Sequence, residues 1–274
     1  MSELTDSAGL TAHRRGDLSY YRLQSLPVRH GFFTRSGGFS QPPYVTLNTA
    51  YVTKDPHAAA NRELLFNTLG LDAAPLRILN PCHGEKIVFV DPTDWQASSR
   101  DSLIKTDAAF TVTPNSYFLV STGDCIPAIF SDVAASFVGI VHLGWRSLLA
   151  DFTGKVMKAL QFHYRIAPDA LVVGIGPAIY PCCYIFQEPQ QKNDPFWRPF
   201  LQDRGNGYYG IDLSAAFKAQ LMRHGVRIEN IHETGLCTAC HNDLFFSCYK
   251  EGYVSGRFPT VVGLQQGDFN SSAL

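Results

Sequence analysis

The chain has 274 residues, a formal net charge of −1 and a hydrophobic content of 45%. Its lysines and arginines are scattered, which excludes a large nucleic-acid footprint, because that needs clustered positive charge. No apolar run approaches the ~20 residues that span a bilayer, and the start Met1-Ser2-Glu3-Leu4-Thr5-Asp6 has no basic segment leading into an apolar one. The expected setting is therefore the cytoplasm, with neither nucleic-acid nor membrane partners.

No linker, charge run or internal repeat divides the chain, so residues 1–274 read as a single domain with loosely ordered tails at 1–15 and 265–274. Apolar β-rich runs predict strands at 17–24 and 28–34. A helix is expected from His57 to Leu69, with Asp55 as cap, Pro56 in the first turn and Gly70 at the left-handed end. Further strands are expected at 76–80, 86–90, 107–111, 117–121 and 136–142. A helix over Ser147–Phe162 and a strand over Ala170–Ile175 follow. The stretch 187–210, rich in Gln, Pro, Asn and Gly, reads as a surface excursion, and a last helix runs from an Asp212 cap to about His224, ending at Gly225. Strands outnumber what βα alternation allows, so the expected class is α+β: mixed β-sheets packed with flanking helices.

Three separated segments carry soft or borderline metal donors: Cys82-His83-Gly84, Gly123-Asp124-Cys125-Ile126-Pro127 and His142-Leu143-Gly144-Trp145-Arg146. Singly, each has a plain structural reading. His83 suits a hydrogen-bonded loop histidine, Cys125 a buried thiol and His142 a satisfied core histidine. Seven cysteines, an odd number without an export signal, read as reduced thiols or ligands rather than a disulfide framework. Cys237-Thr238-Ala239-Cys240-His241 matches a c-type haem pattern, but haem attachment needs an export route. A zinc knuckle there needs a second pair, and the adjacent Cys182-Cys183 lacks the spacing for one. Those two cysteines are expected to shape the turn after Gly176-Pro177. Arg62, in mid-helix, is expected to make a structural ion pair.

Taken in order, Phe33-Thr34-Arg35-Ser36-Gly37-Gly38, Leu47-Asn48, Asn61-Arg62-Glu63, Cys82-His83-Gly84, Thr106-Asp107-Ala108, the 123–127 and 142–146 segments, Gly176-Pro177 through Cys182-Cys183-Tyr184 and Asp243-Leu244-Phe245-Phe246-Ser247 resemble the YfiH-like family. It is also called the multicopper polyphenol oxidase or laccase-domain family. The resemblance spans about Gly31 to Gly256 and implies mixed β-sheets with flanking helices. It implies a Zn²⁺ site of His83, Cys125 and His142 with an open fourth position. It further implies a purine nucleoside enzyme that phosphorolyses adenosine, inosine, guanosine or methylthioadenosine and deaminates adenosine, its partners being purine nucleosides and phosphate. On this reading Cys125, His83, His142 and Asp124 form the catalytic group, with Asp124 beside a ligand for proton transfer. Arg35 and Arg146 would hold phosphate, and Asn48 a sugar hydroxyl or base edge.

Two other enzyme readings, and a binding scaffold with a residual site, stand beside this one. Copper-dependent phenol oxidation gave the family its older name, and two histidines with a cysteine also bind Cu²⁺. A multicopper site, however, needs His-x-His pairs, and none of the nine histidines forms one. A cysteine hydrolase would use Cys125 as nucleophile and His142 as base, on cell-wall precursor amides. The chain also departs from the family's usual pattern. Pro81-Cys82 replaces Gln-Val, Gly123 replaces Ala, Ser147 replaces Gly and Ile185 replaces an acidic residue. The metal donors survive these changes, and the oligomeric state stays open.

Overall fold

The computed structural model describes residues 9–71, 74–96, 102–265 and 268–269. In chain order it begins with β1 (Leu10–Arg15), β2 (Leu18–Leu23), β3 (Arg29–Phe33), α1 (Ala58–Leu69), β4 (Leu76–Asn80) and β5 (Ile87–Phe89). Then come α2 (Pro92–Gln96), β6 (Ser102–Lys105), β7 (Ala108–Thr111), β8 (Tyr117–Thr122), β9 (Ile126–Asp132) and β10 (Val138–Leu143). The second half adds α3 (Trp145–Leu149), α4 (Phe152–Tyr164), β11 (Leu171–Ile175), β12 (Ile185–Gln187), β13 (Leu201–Gly205) and β14 (Tyr208–Ile211). It closes with α5 (Leu213–Arg223), β15 (Ile231–Glu233), α6 (Cys248–Glu251) and β16 (Phe258–Gly263).

The strands make a seven-stranded sheet, β1-β2-β3-β16-β8-β4-β6, a six-stranded sheet, β15-β11-β9-β10-β7-β5, and a small sheet, β12-β14-β13. Both large sheets mix parallel and antiparallel pairs: β4 runs parallel to β8, while β16 is antiparallel to it. The α+β class expected from the strand count is what forms.

Alternation along the strands sorts the side chains into layers. On the first sheet Phe32, Phe118, Val120 and Val262 face inward. They meet Ala109, Ile129, Val138, Ile140 and Val172 of the second sheet. The opposite faces take the other parity. Tyr20, Phe33, Tyr117, Leu119 and Val261 pack on Leu65, Phe66 and Leu69 of α1. Phe110, Phe130, Val141 and Val173 pack on Val156, Leu160 and Phe217 of α4 and α5. Strands buried on both faces explain why the sequence shows continuous apolar runs rather than alternation. Each fully buried phenylalanine of these layers contributes roughly 2–3 kcal/mol of transfer free energy.

Several expectations need correction. The loose N-terminal tail over 1–15 is absent over 10–15, which form β1 and pair with β2 from Leu10↔Leu23 to Arg15↔Leu18; residues 1–8 lie outside the described residues. Near the other end, Asp268 accepts from the Tyr20 hydroxyl at 2.9 Å and pairs with His13 and Arg22, and Phe269 is buried. The rest of the expected C-terminal tail lies outside the described residues, apart from residue 265. The helix expected over Ser147–Phe162 is two helices. Asp151 breaks it with φ 51°, and its side chain accepts from Gly154 N to cap α4. The N-cap of α1 is His57 rather than Asp55, whose Oδ2 accepts from Ser40 and Asn48. The 187–210 excursion carries the small sheet and sends Trp197 into the core.

Candidate active site

Strand register assembles the site at one end of the second sheet. In β10, His142 stands opposite Pro127 of β9, so Cys125, just before β9, lies beside it. On the other flank Val141 pairs with Ala108 of β7, which puts Asp107 opposite His142, and the His142 backbone N–H donates to Asp107 O at 2.7 Å. His83 arrives from the loop between β4 and β5, in the left-handed region at φ 55°.

Asp107 is the hub, and its role was not read from the sequence. Its fully buried carboxylate accepts from the backbone N–H groups of Cys82, His83 and Gly84 at 3.2, 2.9 and 2.9 Å. It also accepts from the Cys82 thiol at 2.9 Å and pairs with His142 Nδ1 at 3.1 Å. One side chain thus holds the turn bearing His83 and orients the His142 ring, as outer-sphere carboxylates do for metal-binding histidines. Burial alone would raise the Asp107 pKa. The hydrogen bonds from His142 and Cys82, the His142 charge and the Gly84 amide outweigh it and hold the carboxyl at about 2. The sequence signal was its place in the Thr106-Asp107-Ala108 motif, to which no chemistry had been attached. Cys82, a departure from the family pattern, turns out to serve this carboxylate.

The three donors converge. The ligand atoms of His83, Cys125 and His142 all lie within 4.8 Å of one another. His83 Nε2 is 3.8 Å from Cys125 Sγ, and the two imidazole rings stand edge to face at 4.9 Å. A tetrahedral zinc with Zn–N near 2.05 Å and Zn–S near 2.3 Å separates its N and S ligands by about 3.6 Å. The donor set and spacing fit that ion, with three protein donors and one coordination position left over. Burial opposes ionisation of Cys125. The His142 charge and hydrogen bonds from His142 and His83 outweigh it and lower the thiol to about 6. His142 is the counterpart: burial disfavours its charge, but Cys125 and Asp107 raise it to about 9. Without a bound ion, each of the two groups shifts the other toward its charged form.

Gly144 lies against these donors, since a Cβ there would sit 3.3 Å from Cys125 Sγ and 3.4 Å from His83 Cδ2. Ser147 donates to Gly144 O and accepts from Gly144 N, which fixes the start of α3. The Gly at 123 is also accounted for: a methyl there would meet Arg257 Cδ at 2.9 Å and Cys248 Sγ at 3.2 Å.

The remaining expected residues divide. Arg146 is exposed at the start of α3, lies over the Trp145 ring at 4.4 Å, and its charge acts on the Tyr184 phenol. Arg35 is elsewhere engaged. It donates to Val45 O, Asn242 O and Glu251 Oε1 and lies over Phe246 at 4.2 Å. Asn48 is fully buried, donating to Thr53 and Asp55 and accepting from Ala50 N and Arg257 N. These contacts brace the loops around Arg35 and Asn48. Asp124, at φ 88°, spends one oxygen on the Thr238 hydroxyl at 2.6 Å and the other on Tyr249 N at 2.6 Å, which anchors the Cys125 loop. Arg62 donates to Thr49 O and lies over Tyr51.

Sequence reasoning also missed the aromatic wall. Tyr184, Phe186 and Tyr249 pack edge to face with centroids 4.8–5.8 Å apart, and Phe186 and Tyr249 are exposed. Burial, then the negative charges of Cys125 and Asp124, push the Tyr184 phenol well above its usual range, so it keeps its proton. Tyr184 was visible after Cys182-Cys183. Phe186 and Tyr249 had no signal, because only folding brings β12 and α6 together.

A layered α+β fold with a His-Cys-His donor group at the ends of its strands defines a protein able to hold a metal ion. The chain belongs to the Multi-copper polyphenol oxidoreductase laccase family, whose sequence pattern matches residues 29–265. It is 28% identical to the purine nucleoside phosphorylase YlmD of Geobacillus stearothermophilus over 86% of this chain and 90% of that one. To a purine nucleoside phosphorylase of Pseudomonas aeruginosa it is 32% identical, covering 87% and 94%. The crystal structure of YlmD from Geobacillus stearothermophilus superposes with a TM-score of 0.83 over 94% of this chain and 99% of the other, at 27% identity. Among the described residues no helix is long and apolar enough to cross a membrane.

Proposed function

We propose that the chain is a zinc-dependent purine nucleoside phosphorylase, acting on adenosine, inosine, guanosine or methylthioadenosine, and that the same site deaminates adenosine. The observation that carries this reading is the convergence of His83, Cys125 and His142 within 4.8 Å, with Tyr184 of the aromatic wall feeling the charges of both Cys125 and Arg146. Relatives named purine nucleoside phosphorylase support it. His83, Cys125 and His142 would hold the ion, and what it supplies when bound is Lewis acidity.

The chain's own residues have distinct tasks. In phosphorolysis a phosphate oxygen bonds to the anomeric carbon, the glycosidic C–N bond breaks, and the departing purine takes up a proton. Arg146 draws phosphate to the mouth and offers it a planar pair of donors. Tyr249 and Phe186 present ring faces and edges against which a purine stacks. The Tyr184 hydroxyl, held protonated, donates a hydrogen bond to the leaving base. Asp107 keeps the His142 ring and the His83 turn in place throughout.

The test is chromatographic turnover of adenosine and inosine by zinc-loaded chain, with and without phosphate, beside Cys125→Ala. Phosphate-dependent free base, or inosine formed from adenosine, is expected and is lost in the variant. Absence of turnover in folded, metal-replete chain would sink the reading.

A second reading has its own observation. Cys125, His142 and Asp107 form a thiolate–imidazolium–carboxylate series, the arrangement a cysteine hydrolase uses. Chelation separates the two readings, since it would abolish the zinc reaction and leave a thiol nucleophile active on amide substrates. Copper oxidation of phenols has less behind it, because among the described residues the other group of possible metal donors consists of cysteines alone.

A further inference from the structure

Cys182, Cys183, Cys237 and Cys240 were expected to be unrelated turn residues and an isolated pair. The structure brings them together: the four sulfurs lie within 4.8 Å of one another. Cys240 Sγ is 3.5 Å from Cys182 Sγ and 3.4 Å from Cys183 Sγ. The join is made by backbone. Ala178 bridges Cys237 in parallel, Ala178 N donates to Leu236 O, and Thr238 N donates to Ala178 O at 2.9 Å. The tight turn at Tyr180 and the turn at Cys237 then face each other, with Cys183 N and Tyr184 N on Tyr180 O and His241 N on Cys237 O.

We propose that these four cysteines form a second, closed metal site that takes Zn²⁺ with a structural role. A tetrahedral ion with Zn–S near 2.3 Å spaces its sulfurs by about 3.8 Å, close to the 3.4 and 3.5 Å from Cys240 to the adjacent pair. Filling the site exchanges four S–H protons, released to solvent, for one Zn²⁺, with no change of oxidation state. The filled site carries a net charge of −2. Two cations flank it: Lys250 Nζ donates to Ala239 O at 3.0 Å and Arg204 Nη2 to Pro181 O at 3.2 Å.

The site would brace the wall of the active site. Thr238, between two of the cysteines, holds Asp124 beside Cys125, and Tyr184 follows Cys183 directly. Four thiolates leave no coordination position for substrate, which distinguishes this group from the His-Cys-His group.

The test uses the full chain carrying Cys125→Ala, which disables the first group and leaves these four cysteines intact. Expressed with zinc and purified under reducing conditions, it is analysed for metal by mass spectrometry. About one zinc per chain is expected to remain. Replacing that zinc with Co²⁺ should give the visible bands of a tetrahedral ion and sulfur-to-metal charge transfer of four-thiolate intensity. Adding Cys182→Ser and Cys240→Ser should lower zinc occupancy at least tenfold. The proposal is overturned by chain that holds no zinc, by iron or copper in its place, by an intact mass showing disulfides among these cysteines, or by zinc that survives both serines. Should the serine variant fail to fold, the cobalt spectrum of the Cys125→Ala chain decides alone. Because the first group is absent from this background, failure here leaves the phosphorylase reading standing.

Discussion

The two groups of metal donors are built in opposite ways from similar chemistry. Cys125 and His142 sit at the ends of strands, placed by the register of β9 and β10, and one buried carboxylate ties His142 to the loop that bears His83. The four cysteines sit on two facing turns, placed by a short backbone bridge and flanked by cations rather than by an acid. An aspartate beside imidazole raises ligand basicity and leaves a position open, whereas four thiols close on themselves. Electrostatics follow the same division. Cys125 is lowered to about 6 by its histidines, while burial, then the hydrogen bond to Cys240 and the Cys237 charge, raise Cys183 to about 11.

That contrast can be broken in metal-free chain by alkylation. At pH 7 the thiolate fraction of Cys125 should exceed that of Cys183 by about 10⁴, and its weaker intrinsic nucleophilicity removes about 10² of this. A roughly hundredfold faster reaction with iodoacetamide is expected, read by peptide mass spectrometry. The Cys125 rate should climb through pH 6 and level off, while that of Cys183 keeps rising past pH 9. Equal rates and profiles would mean that the two environments do not differ.

Asp107→Asn sharpens the comparison from the other side. It is expected to weaken zinc binding at the His-Cys-His group about 10–100-fold and to leave the four-cysteine group untouched. The same carboxyl should make metal-free chain acid-sensitive. Its folded pKa of about 2 lies below the ordinary 3.8, so its stabilisation is present above pH 3.8 and lost as pH falls through 2. That amounts to roughly 2 kcal/mol, measurable as the difference between the acid unfolding curves of wild type and Asp107→Asn.

Much of this was legible in the sequence and some was not, for physical reasons. Doubly buried strands such as β8 and β10 announce themselves as unbroken apolar runs, and the Asp212 cap marks α5. The break at Asp151 was hidden because a capping aspartate inside an otherwise helical pattern looks like a surface residue. His83, Cys125 and His142 were recognisable only as a set. Asp107 was passed over because a carboxylate that binds three backbone amides leaves no mark in its own spacing. The bracing contacts of Arg35 and Asn48 were not announced by residue type, since a buried brace and a ligand-binding group draw on the same side chains. The four cysteines escaped because a parallel bridge, invisible in linear spacing, brings the adjacent pair to the Cys-x-x-Cys turn.

Arg146 and Asn48 give the smaller tests. Arg146→Ala should raise KM for phosphate about tenfold with little change in kcat, as loss of a uniformly binding group does. An unchanged KM would remove the guanidinium from the phosphate path. Asn48→Ala should cost about 2–3 kcal/mol in denaturant unfolding, since Arg257 N loses its acceptor in a buried place, while KM stays at the wild-type value. A large rise in KM with unchanged stability would place Asn48 in the substrate site.

The most direct measurement follows hypoxanthine release from inosine as Zn²⁺ is added back to chelated chain, with phosphate present and absent. Release is expected to appear with zinc, to require phosphate and not to be recovered by Cys125→Ala at any zinc concentration. Release that chelation leaves unchanged, or that proceeds equally without phosphate, would contradict it.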